Sequence, residues 1–149
     1  MMRIPPVLQF LFWGIAAWGI QKLVSEYNYS WRYQLSAALG CAVLGIMISG
    51  LGVAEFVKFK TTLNPVSPDK AQRLVTSGIF RLTRNPMYLG MLLILSGWLL
   101  FLGNPFAAPT AAGFVLIMNN IQIKPEERAM MVKFGEEYEA YRRRTRRWI

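Results

Sequence analysis

Residues 85–105 read NPMYLGMLLILSGWLLFLGNP, and this stretch decides the fold. It opens on Asn85 and Pro86, residue types preferred at the N-cap and at the first position of a helix. No charge interrupts the run from Pro86 to Leu102, whose length approaches the roughly 20 residues that cross a bilayer as a helix. A Gly-Asn-Pro turn signal at 103–105 follows. The stretch therefore predicts a membrane span that ends in a tight turn.

Three further apolar blocks have a similar length. Residues 106–123 complete a helical hairpin after the turn, and residues 7–24 and 35–56 precede it. Arg3 before the first block is also a feature of secretory signals, but no small-residue cleavage site closes the block, so we interpret it as a retained span. The sequence predicts one all-α integral membrane domain over residues 1–149, with four transmembrane helices and an amphipathic C-terminal helix.

The distribution of charge predicts the orientation. Seventeen lysines and arginines against eight acidic residues give a net charge of +9. Six of these basic residues lie in the connection at 57–85 and eight from Lys124 onward, whereas the turn at 103–105 has none. The positive-inside rule places both rich segments and both termini in the cytoplasm, at the inner or plasma membrane if the protein is bacterial. Because no soluble module presents these charges, the pattern argues against nucleic acid and for the lipid bilayer as partner.

Several chemistries are excluded by composition. The chain has no histidine and one cysteine, Cys41, which rules out a Ser-His-Asp triad, a usual zinc site and an intrachain disulfide. The G-x-G at Gly50 and Gly52 lies at the end of a span, so it does not predict a Rossmann cofactor cradle. Small residues in this span predict the close approach of another helix; they are Ser36, Gly40, Gly45, Ser49, Gly50 and Gly52.

The turn before Pro86 is the first candidate site. Its plain interpretation is a helix start. The alternative is an anion site, because the backbone N–H groups of residues 87–89 and the positive end of the helix point ahead of it. Arg84 lies beside this turn, Tyr88 offers a hydroxyl, and Gly90 permits close backbone approach. These groups are suited to the carboxylate of a small ligand.

Residues 124–149 form the second candidate site. A proline followed by Glu126 and Glu127 is a normal helix start. At about 100° per residue, the helix carries one apolar stripe, formed by Met130, Met131, Phe134, Tyr138 and Tyr141. Glu127 falls near the centre of this stripe, and a carboxylate there needs Arg84, an arginine near the C-terminus or a bound cation as its partner.

Two other features of this helix carry predictions. Gly135 predicts a bend or a close approach, since glycine inside a helix costs about 1 kcal/mol relative to alanine. The terminal arginines and Trp148 predict an interfacial anchor on anionic lipid.

The motifs LVTSGIFRLTRNPMYLG (residues 74–90) and EERAMMVKFGEEYEAYRRRTRRWI (residues 126–149) resemble the isoprenylcysteine carboxyl methyltransferase family, in a short bacterial-type form. That family shares its design with the phospholipid N-methyltransferases, and the resemblance runs from about Thr61 onward. It implies methyl transfer from S-adenosylmethionine, with the last hairpin and the cytoplasmic segments enclosing the cofactor.

The resemblance implies roles for individual residues. The catalytic candidates are Arg84, Glu126 and Glu127. The cofactor contacts that it implies, or that the turn before Pro86 predicts, are Gln72, Arg73, Leu74, Val75, Phe80, Asn85, Pro86, Met87, Tyr88, Gly90 and Glu126. The motif match favours Glu126 as the glutamate that contacts the cofactor, and the position on the helix favours Glu127. Candidate substrate contacts are Gln122, Tyr138 and Arg147.

Two positions depart from the eukaryotic pattern: Asn85 replaces a histidine, and Gln122 replaces an arginine thought to meet the prenylcysteine carboxylate. Methyl transfer from a sulfonium is an in-line displacement that requires alignment and desolvation but no metal. The predicted acceptor is a small amphiphile, with the carboxylate or thiol of an isoprenylcysteine-like molecule favoured. A phospholipid amine is the first alternative. A non-catalytic membrane adaptor that binds anionic lipid or a partner is the second.

Overall fold

The computed structural model describes residues 4–59 and 73–149. In these residues the regular structure is helical, without a β-strand, which confirms the all-α prediction. The α-helices are α1 (Pro6–Leu23), α2 (Gln34–Lys58), α3 (Pro86–Leu102), α4 (Pro109–Ile117) and α5 (Lys124–Arg144). Short 3-10 turns occupy Ser25–Tyr27, Gly78–Arg81 and Pro105–Ala107, and a π-helical turn occupies Met118–Ile123.

The first three predicted spans coincide closely with α1, α2 and α3. By length and composition, two helical runs qualify as membrane spans, Gln34–Lys58 and Pro105–Arg144, while α3 is apolar but has 17 residues. In the most apolar window of α2 only 17% of the residues are buried. Because the core helix of a soluble protein is mostly buried, this outward apolar surface is typical of a helix in contact with lipid.

Helices α2 and α3 pack most extensively, and glycines allow their backbones to approach. A Cβ atom on Gly45 would lie 2.5 Å from the carbonyl oxygen of Gly90, and one on Gly97 would lie 2.6 Å from that of Ala38. These distances leave no room for a side chain, which confirms the predicted role of the small residues at these contacts. For Gly40, no atom of the other described segments lies within 4 Å of such a Cβ, so the contact between α2 and α3 does not require a glycine there.

The turn between α3 and α4 is as tight as predicted. Gly103 ends α3 in the left-handed conformation, with φ of 59°, and its carbonyl accepts a hydrogen bond of 2.8 Å from the Tyr29 N–H. The Asn104 side chain donates to the Val24 carbonyl at 3.0 Å and accepts from the Phe106 N–H at 3.0 Å. The turn is therefore fixed to the connection between α1 and α2, at the end of the bundle away from Pro86.

The predicted fourth span and the predicted C-terminal helix form one continuous helical run in the structure. Helix α4 continues through the π-helical turn into α5, so the amphipathic segment is not a separate helix. Pro125 has no N–H to donate, and in an α-helix its ring would crowd the carbonyl of the residue four positions earlier. The wider π turn directly before Pro125 accommodates the missing hydrogen bond and the ring. Helix α5 bends instead at Gly135, with φ of 50°. Among residues 4–59 and 73–149, no atom of another segment lies within 4 Å of a Cβ placed there, so the described structure explains this glycine by the bend.

Candidate active site

The turn that precedes α3 is bonded to the end of the chain. The Thr83 hydroxyl accepts from the Asn85 N–H at 3.1 Å and donates to the Arg147 carbonyl at 3.2 Å. Asn85 occupies the predicted N-cap position, but its side chain makes no cap and donates instead to the same carbonyl, at 2.9 Å. The predicted start at Pro86 is correct. The N–H of Leu89, predicted to be unpaired, donates to the Asn85 carbonyl at 3.0 Å.

Residues 145–148, here called the return segment, fold back over the start of α3. The Arg84 N–H donates to the Arg146 carbonyl at 3.0 Å. Trp148 points into the bundle, packs beside the cluster that contains Tyr88, and donates from Nε1 to Asn119 Oδ1 at 3.1 Å. The predicted lipid anchor is therefore wrong for Trp148, because a partner inside the bundle takes its polar group.

Glu127 is bound by two arginines. Arg84 Nη2 lies 2.6 Å from Oε1, and Arg147 contacts both carboxylate oxygens, with Nη2 2.6 Å from Oε2 and Nε 3.0 Å from Oε1. The side chains of Arg84 and Glu127 are only 9% and 12% exposed. Burial acts to raise the pKa of Glu127, but the hydrogen bonds and charges of the two arginines outweigh it and hold the pKa below 4.5. The prediction that this carboxylate needs a cationic partner is confirmed, and the partners are Arg84 and one arginine near the C-terminus, Arg147.

Arg84 also binds the end of α5. Its Nη1 donates to the carbonyl of Arg142 at 3.2 Å and to that of Thr145. A guanidinium at the carbonyl end of a helix is favoured by the helix dipole. Arg84 and Glu127 together therefore join the turn before α3 to both ends of α5.

Glu126 faces a different set of partners. The Tyr88 hydroxyl donates to Glu126 Oε1 at 2.8 Å, and Gln122 Nε2 donates to the same oxygen at 2.5 Å. Tyr88 is 4% exposed and Gln122 1%, so this carboxylate is bonded to buried donors. Neighbouring residues of a helix point about 100° apart, which is why the acidic pair divides between two clusters.

Two buried polar atoms at this site have no hydrogen-bond partner within residues 4–59 and 73–149. They are Nε of Arg84, a donor, and Oε1 of Gln122, an acceptor. Buried polar groups in native proteins are almost always paired, so each of these atoms needs an explanation. Across the same residues no three His, Cys, Asp or Glu side chains lie together as a metal site would require.

The predicted apolar stripe of α5 packs on the segment before α3. Buried Val75, Phe80, Tyr138 and Tyr141 form one cluster, flanked by Leu74, Met130, Met131 and Phe134. The Tyr141 hydroxyl donates to the Phe80 carbonyl at 2.8 Å. Burial raises the pKa of Tyr138 to about 12, which keeps this phenol protonated at neutral pH.

The structure does not bring the remaining predicted cofactor contacts together at the polar site. Gln72 lies outside the described residues, Arg73 is exposed, and Pro86 is buried under α2, where a Cβ on Gly52 would lie 2.9 Å from it. Gly90 faces Ser49 and the Gly45 carbonyl, so the close approach that it permits is that of α2.

Sequence reasoning missed two residues that hold the return segment. Thr83 is 1% exposed and bonds the residue two positions later, an arrangement for which threonine has a known preference. Asn119 lies in an apolar span, where a polar residue signals a structural or functional partner.

These helices and this site define an all-α protein with apolar, outward-facing helices and a buried polar site at one end of the bundle. Residues 33–137 match the phospholipid methyltransferase family, and the chain belongs to this family of methyltransferases. The match confirms the resemblance at the level of this related group of membrane methyltransferases. An uncharacterized protein of Haemophilus influenzae is 46% identical over 63 residues, which are 42% of this chain and all of that protein. No solved structure matches the chain.

Proposed function

We propose that this chain is a membrane-embedded methyltransferase that uses S-adenosylmethionine, with its site at the cytoplasmic edge of the bilayer. One observation carries the proposal: the hydrogen bond between Tyr88 and Glu126 joins the two motifs on which the resemblance rests. Tyr88 and Glu126 are 38 residues apart in sequence, and their contact produces a buried polar site beside the start of α3.

The residues present fit a zwitterionic amino-acid group, which has one anionic and one cationic end. The unpaired donor Arg84 Nε suits a carboxylate, and the unpaired acceptor Gln122 Oε1, beside Glu126, suits an ammonium group. Tyr88 and the backbone at Asn85 and Met87 complete the polar part of the proposed cofactor site. Residues proposed to line its remainder are Gln72, Arg73, Leu74, Val75, Phe80, Pro86 and Gly90.

S-adenosylmethionine supplies a methyl group on a sulfonium, which a nucleophile accepts without a metal. The protein's part is to align the two reactants and to exclude water. Glu127 serves this purpose indirectly, because it fixes Arg84. The return segment contributes by covering the turn before α3, where Arg84 and Asn85 bond to residues 146 and 147.

The proposed topology is one domain with four spans and with both termini in the cytoplasm. The two helical runs that qualify as spans by length and composition support this topology. Helix α1 supports it too, because its apolar side chains Phe12 and Ile15 are 62% and 65% exposed. Apolar side chains exposed in this way are stable in lipid. Labelling single-cysteine variants at 30 and 140 from each side of the membrane tests the arrangement, since only the second position should react from the cytoplasm.

The proposed acceptor is amphiphilic. An apolar groove of about 470 Å³ lies between α1 and α3; its lining is Phe10, Leu11, Gly14, Ile15, Trp18, Ile94, Leu95 and Trp98. Ile94 follows Tyr88 by six residues, or about 9 Å along a helix, so an apolar tail in this groove would place its head near the polar site. We favour a carboxylate or thiol acceptor of the isoprenylcysteine type.

A phospholipid amine is the second candidate acceptor. The name of the matched family favours it. The glutamine at 122 favours it too, because a neutral amide lacks the positive charge with which an arginine would attract a carboxylate acceptor.

Calorimetry with S-adenosylmethionine on the detergent-purified chain tests cofactor binding. Glu126→Gln should weaken binding at least tenfold, whereas Glu139→Gln, which lies on the exposed side of the same helix, should change it less than about twofold. Absence of binding at millimolar cofactor would support the adaptor alternative. Incubation with methyl-labelled cofactor and membrane extract, followed by mass spectrometry of lipids and thiols, identifies the acceptor.

A further inference from the structure

A polar cavity lies beside the end of α5, and none of the residues proposed to bind the cofactor lines it. It has a volume of about 400 Å³ and is lined by Thr76, Ser77, Arg81, Arg144 and Thr145. Two elements distant in sequence form its walls, the segment before α3 and the start of the return segment. No residue of the Tyr88, Glu126 and Gln122 cluster lines it.

Both arginines of this cavity lack an acidic partner within the described residues. In contrast, Glu127 binds Arg84 and Arg147, and Glu139 binds Arg142 and Arg143. Arg81 and Arg144 therefore bring two uncompensated guanidinium groups to one cavity that has no carboxylate in its lining. Such a pair attracts an anion.

The walls of the cavity are fixed by internal hydrogen bonds. Gly78 takes φ of 57°, and the Ser77 hydroxyl donates to the carboxylate of Glu55 on α2, which attaches this wall to the bundle. On the other wall, the Thr145 N–H donates to the Tyr141 carbonyl at 3.1 Å. Because Ser77 donates its hydroxyl hydrogen to Glu55, the donors left for a ligand are the two guanidinium groups and the hydroxyls of Thr76 and Thr145.

We propose that this cavity binds a phosphate group. Two guanidinium forks and two hydroxyl donors match the oxygens of a tetrahedral oxyanion, and arginine recognises phosphate with paired N–H donors. Leu82, beside Arg81, is 71% exposed, as expected for a side chain at the boundary of headgroups and acyl chains. An anionic lipid headgroup is therefore one source of the phosphate, and a soluble phosphate is the other. The proposal does not depend on methyl transfer.

The test compares two double variants with the same loss of charge. Arg81→Gln/Arg144→Gln removes both cavity arginines, and Arg128→Gln/Arg143→Gln removes two exposed arginines outside the cavity. Titration of the detergent-purified full chain with inorganic phosphate measures the free anion. Native mass spectrometry with phosphatidylglycerol, or with diacylglycerol as a control without phosphate, measures the lipid.

The cavity variant should bind phosphate about 100-fold more weakly than the wild type, at about tenfold per arginine, and the matched control less than about threefold more weakly. Loss of phosphatidylglycerol in the cavity variant supports the proposal with a lipid source, and loss of inorganic phosphate alone supports it with a soluble source. Equal losses in both double variants, or displacement of phosphate by S-adenosylmethionine, would overturn it. If the double variant unfolds, Arg81→Gln alone, with its expected tenfold loss, decides.

Discussion

Glu127→Gln should release the return segment from the start of α3. The change leaves Arg84 charged and 9% exposed, without its carboxylate. Removal of one partner from a buried ion pair costs about 3–5 kcal/mol. Arg84 retains its bonds to the carbonyls of Arg142 and Thr145, and the side chain of Arg147 is 31% exposed, so water replaces part of its loss. We therefore expect a loss at the lower end of this range, about 3 kcal/mol. This loss shifts the equilibrium between the docked and the open return segment by more than about 100-fold.

Trypsin reports this equilibrium directly, because Arg144 and Arg146 are cleavage sites in or beside the return segment. When opening is fast relative to cleavage, the cleavage rate follows the open population. Glu127→Gln should therefore be cleaved there more than about 100-fold faster than the wild type. The matched control Glu139→Gln loses only exposed pairs, which contribute less than about 1 kcal/mol. Equal cleavage rates in the two variants would refute the reasoning.

Three further predictions concern the polar site and the packing of α3. Tyr88→Phe removes a buried donor to Glu126 and should lower kcat/KM for methyl transfer roughly tenfold to 100-fold, as measured by labelled methyl transfer. Thermal denaturation should show a fold that is retained and destabilised by about 1–3 kcal/mol, the loss expected for one buried hydrogen bond. Gly90→Ala should destabilise the bundle by about 1–3 kcal/mol in denaturant titrations, because its Cβ would clash with the backbone carbonyl oxygen of Gly45, whereas Gly40→Ala has open space among the described residues and should not. The pKa of Glu127 is lowered on folding, so the stabilisation that this carboxylate provides is present above pH 4.5 and is lost as the pH falls through the folded pKa. The wild type should therefore lose more folding free energy on acidification than Glu127→Gln. Parallel curves of unfolding free energy against pH for the two proteins would contradict this.

The features that depend on local rules were predictable from the sequence. The start of α3 at Pro86 and its end at Gly103 follow from the conformational preferences of proline and glycine. The bend at Gly135 follows in the same way. The partner of Glu127 was predictable as a class, because a carboxylate on an apolar face requires a cation.

Contacts between distant segments were not predictable in this way. The hydrogen bonds from Thr83 and Asn85 to Arg147 join residues 64 and 62 positions apart, and no local sequence pattern predicts them. The same limit explains the error at Trp148. An aromatic residue among arginines at the end of a helix is typical of an interfacial anchor, and only the position of Asn119 in the folded bundle gives it an internal partner.

The adjacent glutamates have two separate roles, because they bind different partners. Glu127 is saturated by two guanidinium groups, so it has no capacity to bind a substrate cation without losing Arg84. Glu126 accepts hydrogen bonds from the Tyr88 hydroxyl and the Gln122 amide, two neutral donors that hold its carboxylate beside the start of α3. It follows that Glu126→Gln should weaken ligand binding with little effect on the return segment, whereas Glu127→Gln should release the return segment and affect ligand binding only through Arg84.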